Sequence, residues 1–397
     1  MSTDSIPELR QIAEEYRQQL LRGAASKSGL KVLSGDDLQE WLDQNSDLLL
    51  DIAQANSQGM FDSSELIEAY RKAVSSASTE SSEDDPNARL ILAHSIEEIE
   101  HACKDLGLEV QAGVVYGGNP TSGLMASQRS VSFTGGAASI VEVSIPFLPF
   151  CNLVSRMMTL TLAESEGEAW SQVPLTLKDR LPSNPDLVGD WSSLILSYAV
   201  NGFPPQHHVF GFSNANQAVT RLLFLKSMET FAVAHEYGHH VLRHGQSEST
   251  ENKADHLQDE HEADVFGHMI SYKIWSDPQK VNPFAVTGVG AVLMLGLIDL
   301  VARAKNLLRT GLDQSPPRKR HPPFRERIDV ISVASTHYMP EEVSRPSQIM
   351  RDAFMEIIEI IWAQIKPSII KMREEGARPN EDNVGPTDWL PLYTAER

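Results

Sequence analysis

The sequence predicts an α+β protein in which a small mixed β-sheet is followed by a helical block. Three observations carry that prediction. Two stretches, "LEVQAGVVYG" (108–117) and "ASIVEVSIPF" (138–147), are rich in Val and Ile and alternate with a period of two, as strands do. From residue 216 onward apolar residues recur at helical spacing, in four or five long segments broken near 245–252, 276–283, 309–323 and 367. Two of those segments, "FAVAHEYGHHVLRHG" (231–245) and "LQDEHEADVFGHMI" (257–270), carry histidines or carboxylates one helical turn apart.

From the N-terminus, "ELRQIAEEYRQQLL", "DDLQEWLDQ" and "SSELIEAYRKAV" each space their apolar residues three or four apart, with "SGDD" and "DSSE" supplying caps. Residues 1–74 therefore read as an N-terminal helical region, suited to packing or to docking a partner. "SSASTESSEDDPN" (75–87) is acidic, nearly free of apolar side chains, and reads as a linker. The domain that follows, 88–375, opens with an amphipathic helix, "ARLILAHSIEEIEHACKDLG". Residues 150–215 are dense in Pro and Gly and yield no order of elements. "FAVTGVGAVLMLGLI" (Phe284–Ile298) predicts a buried helix in which Gly288, Gly290 and Gly296 permit close packing. It is shorter than the ~18–20 apolar residues a membrane span needs. The tail, 376–397, shows no period.

Composition narrows the function. With 41% hydrophobic and 22% charged residues among 397, the chain can bury a large core. A formal charge of −20 sets it against nucleic acid and anionic membrane, with "PPRKRHPP" (316–323) as a local basic exception. Cys103 and Cys151 are too few for a disulfide framework or a multi-cysteine metal site, so a metal here must sit on nitrogen and oxygen. The opening "MSTDSIPELRQIAEEYRQQ" lacks the basic-then-apolar layout of a signal peptide, and a cytoplasmic setting is expected.

His235 and His239 stand one turn apart, so both imidazoles project from one helix face and can converge on one ion. Glu236, about 100° round the helix, can reach a water at that ion without coordinating it. A catalytic zinc needs a third protein ligand. A third histidine six residues after His239 is ruled out, since that position is Gly245. The second helix offers Glu260 as the ligand and, four residues on, Asp264 to accept the distal N–H of a ligand histidine. His240 and His244 read as non-ligands, and His256 and His268 as solvated polar positions.

"HEYGHHVLRH", "EHEAD" and "HPPFRERI" in this order resemble the M48-type gluzincin peptidases, the family of the CAAX-prenyl protease and heat-shock protease relatives. The resemblance covers roughly 220–330. It implies a zincin-like fold with zinc on His235, His239 and Glu260, Glu236 as the base, and His321 and Arg327 near the open side of the metal. "EHEADVF" also resembles the ImmA/IrrE-type regulatory peptidases, and the Lit-type peptidases are a more distant likeness.

Two functions follow as expectations. The first is a zinc endopeptidase acting on a protein or peptide. In it His321 or Arg327, assisted by Tyr237 or Tyr272, stabilises the oxyanion, and strand 108–117 or 138–147 pairs with extended substrate. The second is a non-hydrolytic regulator that keeps a zincin metal shell; the intact Glu236 favours the enzyme.

Overall fold

The computed structural model describes residues 6–28, 35–44, scattered positions between 46 and 72, and 85–380 apart from 111–112, 122, 134–135, 166, 206–213, 245–252 and 316–320. Several sequence expectations fall outside the described residues. They are most of the third N-terminal helix, linker residues 75–84, the basic residues 316–320 and the tail from 381. The protein is mixed α+β, mostly helical, with one three-stranded sheet among the described residues.

Helices α1 (Ile6–Ser28) and α2 (Gly35–Gln44) form where N-terminal helices were expected. α1 lies against the sheet: Ala13 is buried with Val115, Ala138 and Ile140, and Arg10 Nε donates to the carbonyl of Val114 at 3.3 Å. Helix α3 (Pro86–Asp105) starts inside the stretch assigned to the linker. The reason is local: the Asp85 side chain accepts from Ala88 N–H, and Pro86 takes the first helical position, where its missing N–H costs nothing.

The sheet comprises β1 (Val114–Asn119), β2 (Ala126–Phe133) and β3 (Gly136–Ser144) in the order β1-β3-β2. β1 runs parallel to β3 with Val115 opposite Ile140, and β2 runs antiparallel to it with Gln128 opposite Val141, so the sheet is mixed as expected. The first expected strand begins later, at Val114, and the second gives way to helix at Phe147. β2, "ASQRSVSF", was not read from the sequence.

The unordered stretch resolves into α4 (Phe147–Thr161), α5 (Val173–Arg180) and α6 (Pro185–Asn201). α4 buries all but Asn152, Arg156 and Leu160, a stripe too narrow to mark it as a helix. The block continues with α7 (Ala215–Val241), α8 (Lys253–Trp275), α9 (Pro283–Val286), α10 (Val289–Thr310), α11 (Phe324–Tyr338) and α12 (Glu341–Glu374).

Two expectations are corrected here. The apolar run 284–298 is not one helix, because Gly288 adopts φ 80° and ends α9 before α10 begins. Conversely, α12 does not break at Pro367. An interior proline costs about 3 kcal/mol, but Ile361, Ile365 and Ile369 on the same face are fully buried and hold the helix in place. No helix among the described residues is long and apolar enough to cross a membrane.

Candidate metal centre

The site sits where α7 and α8 cross, and two glycines let them approach. A Cβ on Gly267 would lie 3.1 Å from the His235 backbone nitrogen, and one on Gly238 would lie 2.9 Å from the Phe266 ring. With the backbones this close, the short Glu260 and Asp264 side chains of α8 reach the histidines of α7. Glu260 places Oε2 3.7 Å from His235 Nε2 and Oε1 3.6 Å from His239 Nε2, and the two Nε2 atoms are 3.3 Å apart. Among the described residues, His235, His239 and Glu260 are the one group of His, Cys, Asp or Glu whose donor atoms converge closely enough to hold a metal ion.

The donor set fits a small divalent ion. Tetrahedral ligands about 2.0–2.1 Å from a zinc stand roughly 3.3–3.4 Å from one another, close to the separations found here. Glu236 is not part of this triangle; its Oε1 lies 4.0 Å from His235 Nε2, beside the ligands. Burial pushes the Glu236 carboxyl above the ordinary carboxylate range, and the neighbouring Glu260 charge adds to the rise against the pull of His235.

Behind the ligands lies a second layer. Asp264 Oδ1 stands 3.0 Å from His235 Nδ1, an ion-pair distance without good hydrogen-bond alignment. Arg327 of α11 forks onto Asp264, with Nε and a terminal nitrogen donating at 2.7 and 2.6 Å. Burial disfavours the Asp264 charge, but the Arg327 guanidinium overcomes it and holds the carboxyl below its usual range. His321 Nδ1 lies 2.8 Å from Glu260 Oε2. Burial opposes the Glu260 charge, yet the His321 hydrogen bond and the positive charges of His235 and Arg327 hold its pKa at about 2. His239 is pushed down to about 3 by burial and by the His235 charge, so its imidazole is neutral and ready to coordinate.

One contact escaped the sequence reading, which took His244 only as a non-ligand. His244 Nδ1 lies 2.8 Å from His239 Nδ1, and its Nε2 faces Glu262 Oε2 at 3.3 Å. Other expectations are corrected. The Tyr237 hydroxyl donates to Glu100 at 2.9 Å, and Tyr272 packs near Tyr338, so neither serves this site. His256 is exposed as expected, but His268 is buried and stands apart from the ligands. Strand β3, containing 138–144, is central and has no free edge; the edges are β1 and β2.

Glu236, Glu260 and His321 open onto a cavity of about 350 Å³ whose walls include Met125 and Ala126 at the start of β2, with Phe147 and Met294. A larger cavity of about 680 Å³ lies between α3 and the end of α8, away from this chemistry. Its charges pair among themselves, Lys273 with Asp105 at 3.0 Å and Lys280 with Glu98 at 3.1 Å. Comparison of the chain with family models, curated proteins and solved structures found no match.

Proposed function

We propose that the chain is a zinc-dependent endopeptidase with a zincin-like fold, related to the M48-type gluzincins its motifs resemble. The observation that carries this reading is Glu236: an acid with a raised pKa set beside, but outside, a converging pair of imidazoles and a carboxylate, all in one cavity. A purely structural metal site is closed by its ligands and has no use for such a group.

His235, His239 and Glu260 would hold the zinc, which would supply Lewis-acid chemistry toward a water and the scissile carbonyl. Glu236 takes the proton of the attacking water and passes it to the departing amine, a role favoured by a pKa raised above the ordinary carboxylate range. His321, whose side chain is 45% exposed, engages Glu260 through Nδ1 and keeps Nε2 for the developing oxyanion. Arg327 is committed to Asp264 and acts by positioning it. Extended substrate runs along the edge of β2, whose first residue lines the cavity.

The test is metal analysis and casein cleavage in the native chain and in Glu236→Gln. The expected result is about one zinc per chain in both, with cleavage reduced by roughly 10²–10⁴ in the variant and abolished by a chelator. Stoichiometric zinc with no Glu236-dependent cleavage overturns the enzyme and favours a regulator that keeps the metal shell.

A further inference from the structure

The cavity shared by Glu236 and Glu260 is lined by another carboxylate that the reaction does not use. Helix α10 turns Met294, Leu295, Ile298 and Asp299 toward it, positions that share one helix face. Three of the four are apolar, and Phe324 of α11 adds an aromatic wall. Asp299 is half-buried, and its Oδ1 accepts a hydrogen bond from Ser315 Oγ at 2.5 Å. Among the described residues nothing bonds to its Oδ2 and no cation lies within ion-pair distance. Arg327, the guanidinium that also lines the cavity, is already forked onto Asp264. A carboxylate against an apolar wall attracts a cation more strongly than one in open water.

We propose that Asp299 makes this wall a cation-accepting subsite, so that the protein selects peptides carrying a lysine or arginine side chain beside the scissile bond. The proposal rests on the peptidase reading above. The aliphatic stem of such a side chain packs on Met294, Leu295, Ile298 and Phe324 while its head bonds to Asp299. An N-terminal α-amine offers the same charge but no stem to cover the apolar wall.

Fluorescent decapeptides with Lys, Arg, Met, Leu or Glu at one central position, N-acetylated or free, test this on the zinc-loaded full chain. Cleavage is read in the native protein, and binding by anisotropy in Glu236→Gln. The native chain is expected to cut beside Lys and Arg, acetylated or not. Asp299→Asn, an isosteric change at a half-exposed position, should lower the Lys-over-Leu ratio of kcat/KM by roughly tenfold to hundredfold, the loss of a charge-assisted hydrogen bond. Asp299→Lys should turn the preference toward Glu. The binding ratio should fall alike when Asp299→Asn is combined with Glu236→Gln.

An unaltered Lys-over-Leu ratio in Asp299→Asn, with cleavage intact, overturns the subsite and leaves the peptidase standing. Acetylation that weakens cleavage of the Lys and Leu peptides alike, with no Lys-over-Leu preference in either form, assigns the cation to the α-amine and overturns it too. Asp299-dependent binding of the Lys peptide without any cleavage keeps the subsite and removes the peptidase; absence of both removes both.

Discussion

His239 has two ring nitrogens, and the helical spacing of the motif accounts for only one. Its Nε2 faces His235 Nε2, while its Nδ1 meets the Nδ1 of His244 at 2.8 Å. With Nε2 turned to a metal, the proton must sit on Nδ1 and be donated to His244, whose own proton then faces Glu262 from Nε2; this tautomer chain is assigned from the network. Glu262 thus supports one ligand histidine through His244, as Arg327 supports the other through Asp264. His244→Phe removes the acceptor and should weaken zinc binding about 10–100-fold, while His244→Asn, which keeps an acceptor where Nδ1 stood, should retain most of it. Competition with a chromophoric chelator measures both, and equal affinity in His244→Phe and the native chain would refute the role. The pairs His235 with His239 and Glu260 with Asp264 were legible because a 3.6-residue period puts an offset of four on one helix face, and the motif resemblance joined the two helices. His244 was not, because it lies past the helix end. Arg243 adopts φ 61°, and the His244 N–H returns to the His239 carbonyl at 2.9 Å, a reversal no helical wheel displays.

The same close approach that assembles the site recurs between the elements that support it. A Cβ on Gly290 of α10 would overlap the backbone carbonyl of Ser227 on α7, and one on Gly296 would lie 2.6 Å from Ile358 of α12. Gly189 of α6, by contrast, has open space where a Cβ would go. Opposite signs follow for the same substitution. Gly290→Ala should destabilise the fold by about 1–3 kcal/mol through overpacking, whereas Gly189→Ala should stabilise it by up to about 1 kcal/mol through helix propensity and a less free unfolded chain. Urea midpoints measure both, and an unshifted Gly290→Ala would mean that the two helices stand further apart. Composition pointed to Gly290 and Gly296 as packing glycines, but it grouped Gly288 with them, although that residue's positive φ ends a helix. What hid β2 and α4 is burial of the wrong pattern. β2 has no apolar alternation, and it is held by its ladder to β3. α4 exposes only a narrow stripe at Asn152, Arg156 and Leu160, so neither displays a strong contrast from which a period is read.

Across the whole molecule, the helical block buries an imidazole beside a cation, and this burial, with the neighbouring charge, makes the fold sensitive to acid. Arg351 is fully buried and bonds to the Thr287 carbonyl at 2.7 Å and to Ser332 Oγ at 2.9 Å, with no carboxylate in ion-pair distance among the described residues. His268 lies beside it, its Nε2 buried and unpartnered. Burial, and then the Arg351 charge, push the His268 pKa from 6.5 down to about 3. In that window the unfolded chain binds a proton that the folded chain refuses, so stability rises with pH and is lost as pH falls below the unfolded value. Between pH 7 and pH 5 the loss from this one group comes to about 2 kcal/mol. His268→Leu cannot take up that proton, so its urea midpoint should fall less than that of the native chain over the same interval. The two chains are compared with a chelator present, which removes the contribution of metal to either. Parallel falls would place the acid sensitivity on other groups. A shallower fall in the variant assigns that share of the acid sensitivity to the imidazole, which burial first and the Arg351 charge second keep neutral in the folded block.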